Sequence, residues 1–166
     1  IEDRLRVYAY CFNGYWVDVG TIDAYWEAHM QLIEHPPALD LSDRSWIVHT
    51  RGEERPPVRI ESGATVEDSL LTDGTVIARG ARVERSVLSP GVYIGPNAIV
   101  REAVILNQTY VEAAAVVERA VIDKDCVIGH SAVVGERRAG AHRQHQFGRI
   151  IIDYAGEAEA DKLRDA

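Results

Sequence analysis

Aliphatic residues recur along the middle of this chain at a fixed spacing. Val66, Val83, Val100, Val117 and Val134 stand 17 residues apart. A second series runs Leu71, Leu88, Ile105, Ile122, and a third runs Ile60, Ile77, Ile94, Val111, Ile128. Two positions before most members sits a mostly small residue. These are Ala64, Ala81, Ala98, Ala115 and Ala132 in the first series, Ser69, Ser86, Ala103 and Ala120 in the second, and Thr75, Val92, Thr109 and Cys126 in the third. Residues two apart in a strand face the same side, so each aliphatic and its small partner point inward together. Inward pairs recur every 5, 6 and 6 residues. That spacing predicts three short strands per 17-residue coil, with like stacked on like in a parallel β-helix of triangular section. The small residues belong near the corners, where the interior is narrow.

The segment before the repeat follows other periods. Residues 6–10 alternate as a short strand, with a turn expected at Asn13-Gly14. Thr21 can cap a helix from about Ile22 to Ile33, with Asp23 in its first turn. Ile22, Trp26, Met30 and Ile33 then form one apolar stripe. His35-Pro36-Pro37 ends that helix, because proline removes a donor and disfavours helix in the residue before it. Residues 36–58 read as an ordered linker, with a strand expected at Trp46-Ile47-Val48 and Pro56-Pro57 closing it. Of the 12 aromatic residues, Tyr8, Tyr10, Phe12, Tyr15, Trp16, Tyr25 and Trp26 crowd into residues 8–26. A segment well below about 40 residues cannot bury so many alone, which implies a further partner surface. The chain opens on Ile1 and its only methionine is Met30, so it is expected to be a piece of something longer.

Charge narrows the function classes. The 166 residues carry 26 acidic and 18 basic side chains, a formal charge of −8. That balance is poor for gripping nucleic acid, whose phosphates reward clustered Lys and Arg. No apolar run approaches the roughly 18–20 residues that cross a bilayer. Cys11 and Cys126 make neither a disulfide framework nor a CxxC metal site. A cytoplasmic protein without nucleic-acid or membrane partners is expected.

The repeat resembles the hexapeptide-repeat, left-handed β-helix family, most closely at Ile94-Gly95 and Ile128-Gly129. The left hand is implied by the resemblance, since general crossover rules favour the opposite. Ahead of it, Asp18 is read on a strand end just before the expected helix, with Gly14 and Gly20 on either side. Read from the residues alone, such an aspartate can hold a divalent ion or merely satisfy backbone donors in its turn. The stretch Gly14-Tyr15-Trp16-Val17-Asp18-Val19-Gly20-Thr21-Ile22-Asp23-Ala24-Tyr25-Trp26-Glu27-Ala28 resembles the closing signature of sugar-1-phosphate nucleotidyltransferases.

Within that superfamily the chain resembles the glucose-1-phosphate adenylyltransferase family. The likeness lies in Tyr15–Thr21, Trp46-Ile47-Val48-His49-Thr50-Arg51, Arg55-Pro56-Pro57, Ser86-Val87-Leu88-Ser89-Pro90-Gly91-Val92 and Ala120-Val121-Ile122-Asp123-Lys124. It implies an enzyme of glycogen or starch synthesis that makes ADP-glucose and pyrophosphate from ATP and glucose 1-phosphate. It also implies Mg²⁺ as cofactor, with Asp18 as a metal ligand. The division implied is 1–35 for the end of a nucleotidyltransferase domain, 36–58 for a linker, 59–152 for the β-helix and 153–166 for a charged tail. The β-helix would serve homotetramer assembly and allosteric regulation. The family's glycine-rich nucleotide loop, first metal aspartate and glucose-phosphate residues have no counterpart in this chain, which alone is expected to be inactive. The alternatives are a non-catalytic β-helix scaffold or regulatory subunit, or a sugar nucleotidyltransferase using another triphosphate.

Weaker signals remain. The run Glu136–His145 breaks the repeat and concentrates positive charge on Arg137, Arg138 and Arg143. The resemblance makes these three candidates for a phosphorylated effector, against the simpler reading of a solvated cap. His142 and His145 lack a paired carboxylate or thiol for a metal clip. His130 could suggest an acyltransferase, but the unbroken period leaves no long loop to build such a site, and an exposed corner is expected. Cys126 occupies an inward slot as a packed thiol.

Overall fold

The computed structural model describes residues 7–49, 52 and 54–135. One helix, α1 (Ile22–Gln31), precedes 14 short strands between Arg59 and Gly135. The strands form three parallel sheets, each built by pairing a strand with its equivalent one coil away. The first joins Arg59–Ile60, Val76–Ile77, Tyr93–Ile94, Tyr110–Val111 and Val127–Ile128. The second joins Thr65–Glu67, Arg82–Glu84, Ile99–Arg101, Val116–Glu118 and Val133–Gly135. The third joins Leu70–Leu71, Val87–Leu88, Val104–Ile105 and Val121–Ile122. The register is the predicted one: Val83 pairs with Val66 and Val100, Leu88 with Leu71 and Ile105, and Ile94 with Ile77 and Val111. This is the mainly β, parallel β-helix that the repeat foretold, and the left hand is the one the family resemblance implied.

The aliphatics fill the interior. Ile77, Val83, Leu88, Ile94, Val100, Ile105, Val111 and Val117 are fully enclosed, with Ala81, Ala98, Ala103 and Ala115 in the small slots between them. Ladder donors point towards the following coil, as in Val76 N–H to Val92 O at 2.9 Å and Tyr93 N–H to Thr109 O at 3.0 Å. At the first coil, Val66 and Leu71 are only partly buried, because no described strand stacks beneath theirs.

Each corner bends through a left-handed residue. Asp68, Arg85, Glu102 and Arg119 form one such column, and Gly74, Gly91, Gln108 and Asp125 another. Gly63, Gly80, Asn97, Ala114 and Ser131 form the third. A non-glycine residue there costs roughly 1–2 kcal/mol, which the ladder bonds of the closed coil must offset.

Helix α1 starts where the cap predicts: Thr21 is extended and its Oγ1 accepts the N–H of Ala24 at 3.1 Å. It ends at Gln31, two residues short of the expected Ile33, with Leu32 as C-cap. Met30 and Ile33 are buried and Trp26 partly so, but Ile22 is 50% exposed and does not join the packed stripe. Two expected strands are absent. Residues 7–10 and Trp46-Ile47-Val48 have no ladder partner among the described residues and are exposed, irregular chain. A lone strand leaves its backbone groups unpaired, so alternation alone does not hold one together.

Candidate site at the Asp18 turn and its seat on the β-helix

The outward residues of the third sheet, Leu70, Val87, Val104 and Val121, are aliphatic like the inward ones. They make an apolar ridge along one face, and helix α1 lies on it. Met30, Ile33 and Val104 are buried together, with Tyr25, Trp26, Leu70, Val87, Leu106 and Val121 packed around them. Polar contacts fix the helix along the ridge. The Trp26 indole N–H donates to the backbone carbonyl of Glu102 at 2.6 Å. The Arg119 guanidinium lies 5.0 Å from the Trp26 ring centroid and pairs with the Glu102 carboxylate at 2.9 Å. Past the far end of the helix, His35 Nε2 stands 3.3 Å from Asp68 Oδ1. Burial, helped by the nearby charge of Asp123, raises the pKa of the Tyr25 hydroxyl.

The turn before α1 carries the sequence's chief candidate, and the strand expected to end at it is irregular chain over residues 15–19. Asp18 is exposed, and its Oδ1 accepts the N–H of Gly20 at 3.0 Å. A Cβ on Gly20 would stand 3.2 Å from that same oxygen, so glycine gives the carboxylate room to fold back on its turn. The Tyr15 hydroxyl donates to Gln31 Oε1 at 2.8 Å, drawing the turn alongside the helix. Trp16, Val17 and Val19 remain exposed.

Among the described residues no group of three or more His, Cys, Asp or Glu side chains could hold a metal. Asp18 brings a carboxylate to this turn with one oxygen already engaged by the N–H of Gly20. Both bottom-up readings of Asp18 are compatible with that geometry.

Arg137, Arg138 and Arg143, with His142 and His145, lie outside the described residues. His130 is exposed at a corner, its backbone N–H donating to Glu112 Oε2 at 2.6 Å. Cys126 packs against the core, and burial with Asp123 and Asp125 raises its pKa.

Sequence reasoning missed Arg55. Its side chain crosses the corner glycines: a Cβ on Gly74 would stand 3.3 Å from Arg55 Cδ, and one on Gly91 2.5 Å from Nη1. The Gln108 amide stands between Arg55 and Asp125, and with its oxygen and nitrogen exchanged it would accept from Arg55 Nη2 at 3.2 Å and donate to Asp125 Oδ1 at 2.8 Å. With Gly74 N–H donating to Pro56 O at 2.6 Å, these contacts strap the end of the linker to the β-helix. The 17-residue glycine step from 74 to 91 was the available signal.

A stack of 17-residue coils with this register defines a hexapeptide-repeat protein, and the chain belongs to the GlmU-like, C-terminal hexapeptide family, whose model matches residues 56–150. A nucleotidyl transferase family model matches residues 1–35, which include the Asp18 turn and helix α1. The chain is similar to curated glucose-1-phosphate adenylyltransferases: that of Thermomicrobium roseum at 56% identity over 72 residues, covering 43% of this chain and 17% of the enzyme. Those of Clostridioides difficile and Geobacillus stearothermophilus match at 45% over 74 residues and 44% over 77. These two matches cover 45% and 46% of this chain, and 19% and 20% of the respective enzymes. The matched stretches thus span about a fifth of the relatives' own lengths.

Proposed function

We propose that this chain is the C-terminal part of a glucose-1-phosphate adenylyltransferase, an enzyme making ADP-glucose and pyrophosphate from ATP and glucose 1-phosphate. One observation carries the reading. A turn and helix matching the nucleotidyl transferase family are seated on a hexapeptide β-helix, in a chain whose named relatives carry this activity. The division at 1–35, 36–58, 59–152 and 153–166 belongs to the same proposal. The nucleotide-binding loop would come from the preceding catalytic domain, and the fragment alone would be inactive.

Asp18 is the residue of this chain that would hold Mg²⁺, a hard cation that takes oxygen ligands. The ion, when bound, supplies charge neutralisation for phosphate groups. Asp18 itself contributes a carboxylate on a turn pinned by Gly20, Thr21 and Tyr15, so its direction is set before any substrate arrives. The β-helix offers flat faces for assembly into a homotetramer. Arg137, Arg138 and Arg143 would draw a phosphorylated effector. A cytoplasmic location suits such a metabolic enzyme, and no helix among the described residues is long and apolar enough to cross a membrane.

The full-length protein should be assayed with glucose 1-phosphate and ATP, GTP, UTP or dTTP in turn. Preference for ATP supports the proposal. Preference for another triphosphate moves the protein to a related nucleotidyltransferase, and no transfer with any of them favours a scaffold or regulatory subunit.

A further inference from the structure

The Asp18 turn is exposed, yet it is linked to a rigid body through contacts that can be named. On one side, Tyr15 and Thr21 join the turn to helix α1, through Gln31 Oε1 at 2.8 Å and the N–H of Ala24 at 3.1 Å. On the other side, α1 meets the β-helix through two kinds of contact. Met30 and Ile33 against Val104 are apolar and non-directional, and Leu70, Val87 and Val121 continue the same ridge. Such a ridge holds a helix down but does little to fix its position along the ridge. The hydrogen bond from Trp26 to the Glu102 carbonyl is directional, short and partly buried, and it joins residues 76 positions apart.

The acceptor of that bond belongs to the stack. Glu102 is a corner residue whose own N–H donates to Glu84 O at 3.0 Å, and the N–H of Arg119, above it, donates to Arg101 O at 3.0 Å. Arg119 covers the Trp26 ring and grips the Glu102 side chain, so the ring and the residue that accepts its N–H are tied by the same guanidinium.

We propose that Trp26 is a positioning residue: its indole N–H fixes where helix α1 sits on the β-helix, and thereby where the Asp18 carboxylate stands. The inference rests on the nucleotidyltransferase reading for what Asp18 does there, and on geometry alone for the mechanical lock. Removing the N–H leaves the apolar seat intact but frees α1 to shift along the ridge, carrying the turn with it. The corner residues Glu102 and Arg119 thereby influence the site through α1.

The test compares Trp26→Phe with wild type in the full-length protein, by amide hydrogen exchange and by steady-state kinetics. A hydrogen bond of this kind contributes up to about tenfold in an opening equilibrium. Exchange across residues 14–31 should therefore quicken by about that factor, while residues 76–134 keep their protection. The kcat with ATP and glucose 1-phosphate should fall several-fold with little change in KM, since orientation is lost and not binding. Unchanged exchange at 14–31, or faster exchange with unaltered kcat, would overturn the proposal. If Trp26→Phe also loses protection in the β-helix, replacing Trp26 by benzothienylalanine, which keeps the bicyclic ring and lacks the N–H, is judged by the same criteria. A wild-type protein that makes no nucleotide sugar would fell the enzyme reading and the positioning role with it, while the exchange arm still decides the lock by itself.

Discussion

The hydroxyl of Ser86 accepts the backbone N–H of Ala103, its equivalent one coil further on, at 3.1 Å, and donates to Glu84 O, at the end of the preceding strand, at 2.7 Å. Ser69 repeats the arrangement one coil earlier, accepting the Ser86 N–H at 3.1 Å. At this corner a side chain stands in for a missing ladder carbonyl, which is why a hydroxyl sits in a slot where alanine would fill the space equally well. Ser86→Ala leaves a fully buried N–H without its acceptor and should cost about 1–3 kcal/mol. Ser69→Ala, at the less buried first coil, should cost less. Urea unfolding of both variants checks the order; equal, negligible losses would show that the hydroxyl is only a small filler.

At Gly91, φ is +73° and Arg55 occupies the space a side chain would need. Gly91→Ala should therefore destabilise by more than about 1 kcal/mol, combining left-handed strain with displacement of the linker strap. Ala114 sits at φ +59°, so Ala114→Gly should stabilise, by up to about 1 kcal/mol. Thermal unfolding that moved both variants the same way would contradict this view of the corners.

The Cys126 thiol and the Tyr25 hydroxyl both have raised pKa values, each through burial first and then through Asp123, with Asp125 adding to the effect on the thiol. In the unfolded chain each releases its proton at lower pH than in the fold. Above the ordinary thiol pKa of 9.0, and then above the ordinary tyrosine value of 10.0, the unfolded state binds fewer protons. Stability is therefore level below the thiol value and falls as pH rises through the folded pKa values. Cys126→Ser should flatten the first part of that decline in urea titrations between pH 8 and 11, roughly the window these groups define. A decline that Cys126→Ser and Tyr25→Phe together leave untouched would place its origin elsewhere.

The β-helix was legible because its core is a one-dimensional code. Each inward position repeats at 17, and pairing register follows directly from that number. The seat of α1 was legible too, though it went unread. Leu70, Val87, Val104 and Val121 repeat beside Leu71, Leu88, Ile105 and Ile122, and a strand that is aliphatic on both faces is one covered on both faces. Tyr25 and Trp26 thereby find their partner surface in this chain, whereas Tyr8, Tyr10, Phe12 and Trp16 stay exposed. The strands expected at 7–10 and 46–48 failed because neither alternation nor a short apolar run specifies a partner strand. The Arg55 strap was hidden for another reason: an arginine beside two prolines carries no period, and only the corner glycines betray the groove it fills. Asp18 was picked out by its turn, but one carboxylate on a short loop does not by itself distinguish a metal ligand from an Asx turn.

The most direct measurement is the assay of full-length wild type and Asp18→Asn with glucose 1-phosphate and each triphosphate. ADP-glucose should form with ATP in preference to GTP, UTP and dTTP. Asp18→Asn should lower kcat/KM by roughly two orders of magnitude with the fold intact, as expected for removing a charge from phosphate chemistry. Preference for another triphosphate, or an Asp18→Asn variant as active as wild type, would contradict the assignment of this turn and β-helix to an adenylyltransferase.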